Sequence, residues 1–335
     1  MNAEQIQRFL DADLTFNALV MEVTSRCNAK CAMCYQAAGP KGSDLLGDYR
    51  LEVDEIAICM MEARECRAIF PRFHFAGGEA FTDIGRCEEI VSIAKQLRYF
   101  QITATTNGYW ASSPKKADLV CRKMKDAGLT GVEISWDYWH SPFIKATAVD
   151  NCIRACSQAG IDVNLRILGT KSHSYGEALD ELSSDVVSLA HKVICGPVFR
   201  TGRAEKTMPE DEFTGIERID GACFEQLNFT ISPNGAVSPC CAGFDQRSVH
   251  DLGNIKTATV RDLYERMNSD TILRMLVFLG PKFLAANLME PDRKQVARNI
   301  CELCWSIFGS RDRYEELAVK IANWAEGEKS LLRLQ

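Results

Sequence analysis

The sequence predicts an α/β chain built on a parallel, barrel-like sheet, and three observations point there. Short β-branched or aromatic runs stand at residues 18–23, 72–76, 101–105, 131–136, 162–168 and 192–198. After the first gap they recur about every 30 residues, the length of one strand–helix unit. The stretches between them, 53–66, 87–97, 117–127, 150–159 and 176–188, return apolar residues at helical spacing. Six such units in succession imply strands that run the same way, with the chemistry at their C-terminal ends.

Length and charge bound the alternatives. At 335 residues, the chain has room for two domains or one large α/β domain with an extension. Its 46% apolar and 25% charged residues are those of an ordinary globular protein, which argues against disorder, a collagen-like repeat or a membrane bundle. A net charge of −6 gives no general drive toward nucleic acid or an anionic membrane surface. The first residues carry Glu4, Asp11 and Asp13 and lack a basic leader, so a cytoplasmic location is expected. The apolar stretch 272–289 is interrupted by Arg274, Lys282 and the Gly280-Pro281 pair, which predicts packed helices rather than a membrane span. Composition turns polar near residue 204, predicting a linker, and residues 310–335 read as one amphipathic helix. The division expected is 1–204, 205–310 and 311–335.

Fifteen cysteines are the one anomaly. With no route to an oxidising compartment, they point to metal, cluster or thiol chemistry rather than to disulfides. Directly after the first strand come Cys27, Cys31 and Cys34, a C-x3-C-x2-C loop followed by Tyr35. Three thiolates from one short loop can hold three corners of an iron–sulfur cube and leave one iron open to a small ligand. A zinc half-site is the bland alternative.

This loop resembles that of the radical S-adenosylmethionine (radical SAM) enzymes, and the resemblance reaches beyond the cysteines. Gly77, Gly78 and Glu79 end the second strand as the family's GGE segment does; Asn107 ends the third, Ser135 and Asp137 the fourth, and Arg166 lies on the fifth. The resemblance implies a partial (βα)6 TIM-type barrel and a 4Fe-4S cluster on the three cysteines. It also implies SAM bound by Tyr35, Gly77, Gly78, Glu79, Asn107, Ser135, Asp137 and Arg166. Tyr35 would lie beside the adenine, Glu79 would receive the SAM ammonium, and Arg166 would meet the SAM carboxylate. Each residue taken alone could equally be a satisfied turn or strand-end residue.

Downstream, Cys223, Cys240 and Cys241 are followed after a long insertion by Cys301 and Cys304. Residues 232–235, Ser-Pro-Asn-Gly, predict a hairpin that draws Cys223 and Cys240 together. Spacing alone serves a four-cysteine zinc site and an iron–sulfur cluster equally well. The pattern resembles the SPASM and twitch extensions of radical SAM enzymes, which implies one auxiliary 4Fe-4S cluster held by Cys223, Cys240, Cys301 and Cys304. Neighbours in an extended segment point to opposite faces, so Cys241 is expected to be a free thiol beside that cluster.

Residues 105–110, 134–143, 238–241 and 300–304 together look like the radical SAM peptide epimerases, which convert L- to D-residues in ribosomally made peptides. That resemblance covers about residues 16–310. It implies abstraction of a Cα hydrogen from one face and return of hydrogen to the other from Cys241. It also implies a precursor peptide as substrate and a flavodoxin or ferredoxin as electron donor. The 26 residues before Cys27 are too few for a leader-binding domain, so a separate recognition protein is one expectation. His140 is a weaker candidate for contact with substrate. Two further readings stay open: a radical SAM dehydrogenase or thioether-forming maturase, and a zinc-binding scaffold. Cysteines 59, 66, 87, 121, 152, 156 and 195 read as core residues without chemistry.

Overall fold

The computed structural model describes residues 3–214, 227–240, 250–287, 299–309 and 311–332. Helix α1 (Ala3–Asp11) precedes an alternating series: β1 (Leu19–Glu22), α2 (Val53–Glu65), β2 (Arg72–Ala76), α3 (Ile84–Gln96) and β3 (Gln101–Thr106). The series continues with α4 (Pro114–Ala127), β4 (Gly131–Ser135), α5 (Ala146–Gln158), β5 (Asp162–Gly169), α6 (Tyr175–Asp180), α7 (Ser184–Val187) and β6 (Lys192–Pro197). All six expected strands are present, and β1 to β6 pair in sequence order, every pair parallel. The fifth expected helix, 176–188, is two short pieces instead. Glu181 and Ser183 cap them, and the second is tied to α5 where Ser183 Oγ donates to Asp150.

Helix ends follow their residues. In α4 the Ser113 side chain accepts from the Lys116 amide, Pro114 takes the first turn, and Gly128 closes the helix at φ +124°. Alternation then sorts each strand's two faces. Leu19, Met21, Phe73, Phe75, Ile102, Ala104, Val132, Ile134, Val163 and Leu165 are buried beneath the helices, each large apolar side chain contributing about 1.5–3 kcal/mol. Trp110 and Trp136 are fully buried because their indole N–H groups donate to Thr106 Oγ1 (3.0 Å) and the Ala178 carbonyl (2.8 Å).

The opposite face is polar. His74 lies between Thr103 Oγ1 (2.9 Å) and Thr105 Oγ1 (3.0 Å), and Glu133 and Arg166 pair across β4 and β5. A sheet whose inner face carries hydroxyls, imidazole, carboxylate and guanidinium is built to enclose a polar molecule.

The C-terminal region joins this sheet. Strand β7 (Phe229–Ile231) runs parallel to β1 on its outer edge, and β8 (Val237–Ser238) pairs antiparallel with β7. The hairpin expected from residues 232–235 is there, with Gly235 at φ +88°. Its strand β7 covers the edge that β1 would otherwise leave unpaired, so the sheet continues across the expected domain boundary. The described part of the expected linker is likewise fastened down. Short helix α8 (Ala204–Thr207) places Thr207 Oγ1 on the Ala32 carbonyl at 3.2 Å, and Glu212 accepts from Thr170 Oγ1 at 2.7 Å.

Helices at Val260–Ser269, Thr271–Phe278, Pro281–Asn287, Ile300–Phe308 and Arg311–Leu332 complete the described chain. The apolar stretch breaks at Gly280-Pro281 as expected, and the last helix sets Trp324 against Phe9 and Phe283. No helix among the described residues is long and apolar enough to cross a membrane.

Candidate active site

Because the strands are parallel, their C-terminal ends share one edge of the sheet, and the predicted residues gather there. Cys27, Cys31 and Cys34 follow β1, Gly77 to Glu79 follow β2, Asn107 follows β3, and Asp137 and His140 follow β4.

The GGE segment and the cysteine loop are built on each other. Gly78 N–H donates to the Thr24 carbonyl (2.7 Å) and Glu79 N–H to the Arg26 carbonyl (2.8 Å). A Cβ on Gly78 would sit 2.1 Å from the Arg26 carbonyl oxygen, and one on Gly77, at φ +146°, 2.6 Å from that of Thr24. Only glycine lets the two backbones approach this closely.

Glu79 is buried at 2% exposure. Its carboxylate accepts from Thr106 Oγ1 (2.8 Å), the Phe81 amide (3.1 Å) and the Asn107 amide (2.7 Å). Burial nevertheless pushes its pKa up to about 7 against those three donors. A carboxylate has about four acceptor positions, so one remains for a cation. Asn107 in turn donates from Nδ2 to Asn28 Oδ1 at 3.0 Å and reaches Cys27 Sγ at 3.9 Å.

Asp137 and His140 form a buried dyad. His140 Nδ1 lies 2.8 Å from Asp137 Oδ1, which also accepts from the Trp139 and His140 amides. Burial opposes the imidazolium, but the neighbouring carboxylate outweighs it and raises the His140 pKa. Asp137 Oδ2 is buried with no hydrogen-bond partner among the described residues. Such an orphan calls for a ligand group with a donor to offer.

Ser135 and Arg166 are direct register partners on β4 and β5. Arg166 meets Glu133 through two bonds, Nε to Oε1 at 2.7 Å and Nη2 to Oε2 at 2.9 Å, so a second carboxylate would share this cation. Tyr35 donates its hydroxyl to Glu22 Oε1 at 2.6 Å, anchoring the loop's far end to the top of β1.

Burial raises the pKa of all three loop thiols, that of Cys27 to about 12, while Arg203 acts in the lowering direction on each. Thiols in this setting are held as thiolates by the positive charge of bound metal. Among the described residues no three His, Cys, Asp or Glu side chains group around a single ion. The all-thiol donor set, the glycine cradle and the orphaned Asp137 oxygen fit an iron–sulfur cluster with a polar co-ligand.

Of the second cysteine set, Cys240 follows β8, and Cys301 and Cys304 lie one turn apart on the helix Ile300–Phe308, capped by Asn299. Cys223 and Cys241 lie outside the described residues. Glu22, Asn28, Gly202 and Arg203 contribute to the site and carry no motif. The sequence signals are the place of Asn28 inside the cysteine loop and the adjacency of Glu22 to it.

Comparison with known proteins agrees with this geometry. Residues 21–182 match the radical SAM superfamily and residues 223–305 the SPASM iron–sulfur cluster-binding domain. A Bacillus subtilis (strain 168) protein, YydG, whose name assigns it provisionally to peptide biosynthesis, is 25% identical over 303 residues. That alignment covers 88% of this chain and 92% of the relative. A 7,8-dihydro-6-hydroxymethylpterin dimethyltransferase of Methanocaldococcus jannaschii is 24% identical over 206 residues, 58% of this chain and 39% of that one. Among solved structures, native anSMEcpe with bound AdoMet superposes with a TM-score of 0.54 at 14% identity, covering 93% of this chain and 100% of that one. At that identity the likeness speaks for the fold alone.

Proposed function

The chain being a radical SAM protein with a C-terminal SPASM domain, we propose that it is a peptide epimerase, inverting an L-residue of a ribosomally made precursor to its D-form. With its 4Fe-4S cluster and SAM bound, the radical SAM domain supplies a 5'-deoxyadenosyl radical, the abstractor of hydrogen. In this reading Cys27, Cys31 and Cys34 hold the cluster. Tyr35, Gly77, Gly78, Glu79, Asn107, Ser135, Asp137 and Arg166 bind SAM: Glu79 offers its remaining acceptor position to the ammonium, and Arg166 receives the carboxylate. His140, fixed by Asp137, faces the substrate.

The observation that carries the epimerase reading is the surplus thiol. Cys223, Cys240, Cys301 and Cys304 suffice for one auxiliary cluster, and Cys241 is left over. A Cα radical is planar between its two amides, so inversion needs only a hydrogen donor on the face opposite the abstractor. Cys241 gives that hydrogen and is restored by one electron and one proton, leaving the peptide with no atom gained or lost. A relative assigned to peptide biosynthesis along most of both chains supports a peptide substrate. In the same proposal residues 1–204 carry the radical chemistry, 205–310 the auxiliary cluster and 311–335 a terminal helix. The protein works in the cytoplasm with a flavodoxin or ferredoxin as electron source and, if needed, a separate peptide-binding protein.

Turnover in deuterated buffer tests the proposal. Epimerisation places one solvent deuterium at Cα without net oxidation, whereas dehydrogenation lowers the peptide mass by two hydrogens and incorporates none. Cys241→Ala should still cleave SAM and yield no D-residue; normal inversion by that variant would overturn the donor assignment.

A further inference from the structure

Behind the cysteine loop lies a buried cation that no motif announces. Arg203 is 7% exposed. Its Nη1 donates to the Cys31 carbonyl (2.7 Å), and its Nη2 donates to the carbonyls of Ala37 (2.5 Å) and Ala38 (2.8 Å). Nε and Nη2 also meet Asp44 at 3.1 and 3.0 Å. Its backbone N–H donates to the Cys34 carbonyl at 2.9 Å. The neighbouring Gly202 sits at φ +59°, where a Cβ would be 2.1 Å from the Tyr35 carbonyl oxygen. The segment therefore presses backbone to backbone against residues 31–38.

We propose that Arg203 is a positioning residue that braces the cysteine loop from behind and sets the reduction potential of the cluster the loop holds, with Asp44 as its partial counter-charge. A guanidinium stays charged at any working pH and fits converging carbonyls with its planar fork. Its counter-ion among the described residues, Asp44, is about half exposed and therefore screened, so much of the positive charge remains effective on the buried side. Reduction adds an electron to an assembly that already carries three thiolates, and a nearby fixed cation favours that step. Net charge, hydrogen bonding and solvent exposure are the protein's means of setting such potentials.

The inference rests on Cys27, Cys31 and Cys34 being the cluster ligands. EPR-monitored redox titration of anaerobically reconstituted full-length protein tests both, following the reduced-cluster signal that added SAM perturbs. Absence of any SAM-sensitive signal in the wild type would defeat the ligand assignment. Given that signal, Arg203→Gln should make reduction at least tenfold less favourable, a midpoint lower by about 59 mV. Asp44→Asn keeps an acceptor oxygen for Arg203 but removes the counter-charge, and should move the midpoint the other way. Opposite shifts at wild-type iron content support the proposal; midpoints unmoved, or moved in one direction by both variants, overturn it. If Arg203→Gln cannot retain its iron, the sign of the Asp44→Asn shift decides alone, a positive shift supporting and any other result refuting. A brace without electrostatic consequence would change iron retention and leave the midpoint where it was.

Discussion

The backbone amide of Asn107 donates to Glu79 Oε2 at 2.7 Å, tying the end of β2 to the end of β3 through a carboxylate with almost no exposure. This bond and its two companions hold the charged form, yet burial wins and the folded-state pKa stands at about 7 against 4.5.

A raised carboxylate pKa contributes stability that is fully present below the unfolded value and is lost as pH climbs through the folded value. From 4.5 to about 7, at about 1.4 kcal/mol per pH unit, the loss amounts to about 3–4 kcal/mol, most of it between pH 5 and pH 8. Anaerobic urea denaturation of the metal-free protein at pH 5 and pH 8 should therefore show Glu79→Gln gaining on the wild type by roughly this amount at the higher pH. A difference between the two proteins that does not change with pH would show that Glu79 is ionised in the fold at pH 5.

Gly78→Ala should cost at least about 1–3 kcal/mol, the usual penalty of overpacking, because the new methyl would collide with the Arg26 carbonyl. That carbonyl begins the cysteine loop, so reconstituted iron should fall along with the melting temperature. Wild-type iron content in this variant would mean that the GGE segment and the loop are independent.

Replacing both Cys301 and Cys304 with alanine should remove only the auxiliary cluster. Iron per chain would drop from about eight atoms to about four, while SAM cleavage to 5'-deoxyadenosine in the presence of strong reductant continues. Loss of all iron would place these residues in the core of the fold rather than at a separate centre.

Cys121 and Cys156 meet across α4 and α5 with their sulfurs 3.4 Å apart, and neither is more than 1% exposed. The contact with the Cys156 thiol, and burial after it, raise the Cys121 pKa, so both are packing groups. Cys121→Ala should cost about 1–3 kcal/mol through the cavity it leaves and leave cluster content and SAM cleavage unchanged. A fall in iron would give these thiols a chemistry they are not assigned.

How much of the site could be read beforehand depended on the kind of residue. The three loop cysteines, the glycine pair with Glu79, Asn107, Ser135 and Asp137 could be placed from the sequence because each lies at or just beyond a strand's C-terminal end, and strand ends are marked by periodicity; Arg166 falls inside β5. Arg203 and Gly202 could not be placed. They lie about 170 positions from the loop they brace, in a stretch whose polarity suggests a linker, and an arginine among polar residues gives no sign of burial. Arg166 was legible as a cation but not as Glu133's partner, since that pairing needs the β4–β5 register.

From residue order alone came the six strand–helix units, the cysteine spacing and hence the class of chemistry, because local periodicity and the spacing of donor atoms are properties of neighbouring residues. The tertiary structure decided the rest. It set the C-terminal hairpin onto the free edge of β1, turned a polar face inward across the strands, and brought a buried guanidinium beneath the thiols. Those outcomes depend on which distant backbones satisfy each other's hydrogen bonds and which charges are withdrawn from water, and neither is a property of neighbours in the chain.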